Sequence, residues 1–321
     1  MSFEKRNSSK DFMLPSLPTA KCSIPRAVTV EKRSHGSHRL SSPSPYKNLQ
    51  SSVPISETHT KLKHLIPPYV SAKTWAVYNT ITGQILFSQG AEERREIASL
   101  TKIMTCYLSL KLAEKYNLPL SKLVTVSTRA SRITGTSANL QAGDELSIQD
   151  LIYGLMLPSG NDAAYALSEF FGTYLGGVKP VRAFVVEMNK MAEEIGLKNT
   201  KFRNPHGMSL RPNFSTAKDV CIMASHALID KLFSEIVNTK EYICKISKEN
   251  SREIVWKSTN KLLGKGVDGV KTGQTPRAGN CLCARFVYGK VPLIITVLAC
   301  KTKNSRWVEV PRLAEWTYSK I

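Results

Sequence analysis

Hydrophobic patterning divides the chain near residue 65. Residues 1–65 hold no sustained apolar period, and Ser41-Ser42-Pro43-Ser44-Pro45 typifies them. Such a stretch buries too little apolar surface to offset the entropy of ordering it, so a disordered basic tail is expected. The patterned region, 66–321, reads as one domain. Residues 72–78 and 84–89 alternate apolar and polar positions around Gly83, the pattern of a β-hairpin. A helix is expected over 99–116. Its apolar positions Leu100, Ile103, Met104, Tyr107, Leu108 and Leu112 cover much of its circumference, which suits a buried central helix.

Further along, 123–127 is a short extended piece and 130–145 is irregular. Ser147 and Asp150 form a capping box for a helix over 147–157, which Pro158 ends. Helices are expected over 162–171, 184–195 and 216–229, the last capped through Thr216 and Asp219. The end of the chain is strand-rich: 241–247, 252–257, 267–272, 280–288 and 292–299, closed by a helix over 307–320. Strands at both ends and helices between predict one antiparallel sheet with helices on both faces, an α/β fold of the α+β type.

Charge and cysteine content exclude more than they assign. The formal charge is +20, from 45 Lys/Arg against 25 Asp/Glu. It is spread along the chain, with nine Lys/Arg and four Asp/Glu in residues 1–60. A basic body attracts anionic polymers. Without a zinc-finger, RNP or helix-turn-helix signature, no nucleic-acid partner is expected. No run of 18 apolar residues occurs, so no transmembrane anchor is expected. The first residues lack the apolar core of a secretory signal. The seven cysteines show no metal-ligand spacing, so no metal or other cofactor is expected. Cys281 and Cys283 fall on one face of a strand. Free, buried thiols in a reducing, cytoplasmic compartment are the expectation.

The candidate chemistry starts at Ala98-Ser99-Leu100-Thr101-Lys102. Residues i and i+3 share a helical face, so the Ser99 hydroxyl and the Lys102 amine can touch. A serine hydroxyl needs a base to become a nucleophile. Lysine serves as that base when burial or neighbouring positive charge lowers its pKa. The spacing alone is common: Ser2/Lys5, Ser44/Lys47, Ser215/Lys218 and Ser258/Lys261 repeat it. Two companions single out Ser99, namely Ser159-Gly160-Asn161 in a loop between helices and Lys271-Thr272-Gly273 at a strand end. Ser-x-x-Lys, Ser-x-Asn and Lys-Thr-Gly together are the signature of penicillin-binding proteins and class A β-lactamases. His206, in Asn204-Pro205-His206-Gly207-Met208, reads as a loop-stabilising hydrogen bonder rather than a base.

With these motifs in this order, residues 70–320 resemble the serine D-alanyl-D-alanine carboxypeptidases, the low-molecular-mass penicillin-binding proteins. Residues 97–105, 158–164, 204–208 and 268–273 carry the resemblance. It implies a DD-peptidase/β-lactamase-like fold, a five-stranded antiparallel sheet with a helical subdomain and a cleft between them. It implies that Ser99 attacks the carbonyl between two D-alanines, Lys102 takes its proton, Ser159 passes a proton to the leaving amine and Asn161 holds Lys102 and the substrate. Lys271, Thr272 and Gly273 would line the cleft, with Lys271 and Thr272 on the substrate carboxylate. The N–H groups of Ser99 and Gln274 would form the oxyanion hole, and Arg306 would help bind the carboxylate. The implied partner is a peptide ending in D-amino acids or a related small acyl substrate. A β-lactamase-like or esterase-type hydrolase, and a non-catalytic binding protein on the same fold, remain the alternatives.

Overall fold

Two strands from the start of the patterned chain pair with three from its end. The computed structural model describes residues 66–176, 178–208, 211–246, 252–264 and 266–321; the expected disordered tail lies outside them. In chain order the elements are β1 (Thr74–Asn79), β2 (Gln84–Gln89), β3 (Arg95–Glu96), a 3-10 turn (Ala98–Leu100), α1 (Thr101–Lys115), β4 (Leu123–Thr125), α2 (Thr128–Ser131), β5 (Glu145–Ser147), α3 (Ile148–Met156) and α4 (Asn161–Tyr174). They continue with α5 (Pro180–Glu194), β6 (Phe214–Ser215), α6 (Ala217–Ala227), α7 (Lys231–Asn238), β7 (Glu241–Ile246), β8 (Arg252–Lys257), β9 (Val267–Thr275), β10 (Gly279–Phe286), β11 (Leu293–Cys300) and α8 (Ser305–Tyr318). The main sheet runs β2-β1-β11-β10-β9, antiparallel throughout.

Alternation along β11 explains why this sheet is covered on both faces. Leu293, Ile295 and Val297 pack with Val310, Leu313 and Ala314 of α8. Ile294 and Leu298 point the other way, into the larger core with Val220, Met223 and Ala224 of α6. Each such aliphatic side chain, fully buried, contributes roughly 1.5–3 kcal/mol. The larger core also surrounds α1, of whose 15 residues 12 are buried. That leaves α1 as the central helix the sequence pattern anticipates.

Several boundaries differ from expectation, each for a local reason. Ser99 lies in the 3-10 turn ahead of α1 rather than in the α-helix itself. The turn keeps residues i and i+3 adjacent, so the pairing with Lys102 survives. β9 extends through Thr275, which places Lys271-Thr272-Gly273 inside a strand and not at its end. α5 starts at Pro180, four residues early, because proline is pre-set for the first helical position. α7 was not anticipated; the Asp230 carboxylate accepts from the N–H groups of Leu232 and Phe233 and starts it. Among the described residues, β7 and β8 pair only with each other. Their hairpin stacks Tyr242 on Tyr153 at 3.8 Å, and the Trp256 indole donates to Ala138 O at 2.9 Å. It thereby braces the irregular segment that flanks the site. Among the described residues, no helix is long and apolar enough to cross a membrane.

Candidate active site

Positioning begins with the chain before Ser99. β3 pairs with β6, Arg95 opposite Ser215 and Glu96 opposite Phe214, which fixes the entry to the 3-10 turn. Behind the turn runs the loop at Gly207. A Cβ there would lie 1.9 Å from Ala98 O, and φ is +93°, so only glycine fits. Asn204 Oδ1 accepts from the N–H groups of His206 and Gly207, and Asn213 ties Asn204 to Thr101. Thr105 Oγ1 donates to Pro205 O at 2.6 Å. The loop is thus bolted to the first turns of α1.

Lys102 is completely buried. Its Nζ lies 3.0 Å from Ser99 Oγ, 2.6 Å from Asn161 Oδ1 and 2.9 Å from the main-chain oxygen of His206. Two of these neighbours, the amide and peptide oxygens, can only accept; the hydroxyl can accept or donate. A neutral amine has two N–H groups and one lone pair. An ammonium donates to all three; on losing a proton, the amine can keep the bonds to Asn161 and His206 and turn its lone pair to the Ser99 hydroxyl. Burial drives the Lys102 pKa well below its ordinary range, and the charge of Lys271 lowers it further; Asp162 works the other way. The pieces needed to activate a serine hydroxyl are in contact.

Asn161 is oriented from its other side. Its Nδ2 donates to Thr134 O at 2.8 Å, and its N–H to Thr136 O at 2.8 Å. The preceding Ser159 has a φ of +66° in the turn between α3 and α4, and its carbonyl accepts from Thr136 Oγ1. Ser159 Oγ is buried with no protein hydrogen-bond partner among the described residues. The Asp162 carboxylate anchors this turn, accepting from the N–H groups of Ala138, Leu140 and Ala163 and from Ser137 Oγ.

β9 supplies the opposite wall. A Cβ on Gly273 would sit 2.9 Å from Ile97 O and 3.3 Å from Leu100 N, so the strand runs directly against the Ser99 turn. Burial, with the charge of Arg306 adding, brings Lys271 down to about 7. Thr272 Oγ1 shares a hydrogen bond with Thr259 Oγ1 at 2.8 Å. Gln274 is exposed on the same edge strand. Arg306, at the start of α8, reaches the same strand. It is buried, its Nη1 donates to Gly273 O and Cys281 O, and its guanidinium lies 4.6 Å from the Trp307 ring centre. His206 Nδ1 accepts from the N–H of Met208, and burial together with Lys102 lowers the ring to about 3. The ring is a loop brace, but its carbonyl is a direct partner of the amine.

A family profile described as D-alanyl-D-alanine carboxypeptidase matches residues 61–302. The chain belongs to the D-alanyl-D-alanine carboxypeptidase family. Among its relatives, it is 34% identical over 253 residues to the D-alanyl-D-alanine carboxypeptidase DacF of Bacillus subtilis, covering 78% of this chain and 62% of that protein. It is 34% identical over 261 residues to the D-alanyl-D-alanine carboxypeptidase of Streptomyces sp. strain K15, covering 78% of this chain and 89% of that one. The crystal structure of the Streptomyces K15 DD-transpeptidase superposes with a TM-score of 0.74 at 34% identity, over 79% of this chain and all of that one. The D-alanyl-D-alanine carboxypeptidase DacD of Francisella tularensis shares the fold, with a TM-score of 0.70 at 24% identity. The chain spans about three fifths of DacF. The five-stranded sheet and its helical partner layer are those of this carboxypeptidase family.

Proposed function

We propose that this chain is a serine acyl-transfer hydrolase of the D-alanyl-D-alanine carboxypeptidase type. The observation that carries the reading is the buried Lys102 amine, held between two obligate acceptors with Ser99 Oγ on its remaining side. Lys102 takes the Ser99 proton as Oγ attacks the carbonyl between two D-alanines. The N–H groups of Ser99 and Gln274 receive the developing oxyanion. Ser159 Oγ carries the proton to the leaving D-alanine amine, and water then hydrolyses the ester on Ser99. Asn161 holds Lys102 and the substrate backbone. Lys271 and Thr272 bind the terminal carboxylate. Gly273 lets the edge strand approach the turn. Arg306 holds β9 to β10 through Gly273 O and Cys281 O, and acts on Lys271 through its charge.

The substrate is a peptide ending in D-alanyl-D-alanine. Similarity to the Streptomyces K15 DD-transpeptidase favours a second fate for the ester, transfer to an amine acceptor in place of water. The buried free thiols Cys106, Cys221, Cys244, Cys281, Cys283 and Cys300 favour a reducing compartment.

Release of free D-alanine from a soluble D-Ala-D-Ala peptide tests the reading. Release by the wild-type chain that disappears in Ser99→Ala is expected. Folded wild-type protein that releases none contradicts it.

A further inference from the structure

The helical layer carries an opening of about 620 Å³ that none of the motif residues lines. That volume is in the range of small-ligand sites. Four cations from three parts of the chain surround it: Arg129 of α2, Lys179 and Arg182 at the start of α5, and Arg203 in the connection from α5 to β6. The one carboxylate on its wall, Glu169, accepts from Ser127 Oγ at 2.6 Å. Among the described residues, none of the four cations is in an ion pair.

A plain solvated face would leave these side chains free, but two of them are held. The Arg129 guanidinium lies 5.6 Å from the ring centre of the buried Tyr165. The Arg203 guanidinium lies 5.7 Å from that of Phe214, and its Nη1 donates to Pro212 O at 3.0 Å. Ring and main-chain contacts fix a guanidinium without neutralising it. The other two work against their own helix. Lys179 is the N-cap of α5, Arg182 follows in its first turn, and that turn holds no acid. Cations at the positive end of a helix dipole are unfavourable, and like charges around one opening repel. A polyanion in the opening relieves both. We propose that this opening binds a small soluble ligand bearing two or more phosphate groups. Three of the four cations are arginines, whose planar fork matches phosphate oxygens. A chain of phosphates, unlike a single one, can meet cations from all three parts of the chain. The inference is independent of the acyl-transfer reading.

Titration calorimetry of the full chain with sodium tripolyphosphate, at about 0.15 M salt, tests the proposal. One-site binding is expected. Arg129→Gln/Arg182→Gln should weaken it about tenfold, the loss of two partly exposed charge contacts. Lys301→Gln/Lys303→Gln removes the same charge from the exposed connection between β11 and α8, and should change binding less than about twofold. Equal weakening in both variants would show attraction to the basic body alone and overturn the proposal, as would a wild type that binds none. A lipid headgroup offers the same phosphate chemistry, so vesicles of equimolar phosphatidylcholine and phosphatidic acid form a second arm. Wild type and Arg129→Gln/Arg182→Gln are expected to sediment alike with them. A variant that loses the vesicles but keeps tripolyphosphate would assign the cations to a lipid surface and overturn the soluble ligand.

Discussion

At the scale of single residues the site is two buried lysines with different tasks. In the proposed reaction Lys102 is neutral, to accept a proton, and Lys271 is charged, to attract a carboxylate. Both pKa values are lowered, Lys271 to about 7. Hydrolysis of a carboxylate-bearing peptide is therefore expected to decline on the alkaline side with an apparent pKa near 7. Lys271→Arg keeps its charge at all working pH values, so that limb should vanish; a pH–rate profile checks it. Lys102→Met removes the base, and penicillin acylation should slow by about 10³-fold. The lysines also couple pH to stability. The unfolded Lys271 holds its proton up to 10.5 and the folded one only to about 7. The unfolded state thus binds more protons between these values, and stability from this group rises with pH across that window. Lys271→Met should be more stable than wild type at pH 6, and melting curves should show the advantage shrinking toward pH 10.

At the scale of elements, three connections hold these residues: the 3-10 turn before α1, the α3–α4 turn and the edge strand β9. The sequence singled out residues on all three, Ser99/Lys102, Ser159/Asn161 and Lys271/Thr272, and put each on or beside the element that carries it. It did not show what braces them. Asp162 follows Asn161 directly and opens a helix, the usual place for an acid. Only the fold reveals that its carboxylate holds the amides of a segment more than 20 residues upstream. The partnership of His206 O with Lys102 is equally invisible, since a main-chain oxygen leaves no mark in side-chain identity. Arg306 shows the converse. Its residue type suits a carboxylate, whereas its position behind β9 and β10 commits Nη1 to main-chain oxygens. Asp162→Ala orphans several buried donors and should cost about 3 kcal/mol, read by denaturant unfolding. Slower acylation should accompany it, because the Ser159–Asn161 turn loses its anchor.

Across the whole molecule, the division of strands between the two ends of the chain and helices in the middle was legible from periodicity. The closing of the sheet by β1 against β11 followed from it. The separate β7–β8 hairpin was not legible, because strand-like alternation does not say which sheet a strand joins. The same burial that lowers the lysines raises the thiols: Cys283 is pushed up to about 12 and Cys281 to about 11. Cys106, Cys221, Cys244, Cys281, Cys283 and Cys300 are all buried. These six should resist a thiol reagent in the native protein and react once guanidinium unfolds it; reaction of any of them at native stability would show that the core opens.

The measurement that bears most directly on Ser99 as an acylating nucleophile is incubation with a fluorescent penicillin, followed by peptide mapping of the product. One covalent adduct on the peptide carrying Ser99, absent from Ser99→Ala and retained in Ser215→Ala, is the predicted result. Folded wild-type protein with no adduct, or an adduct that survives Ser99→Ala, would contradict it.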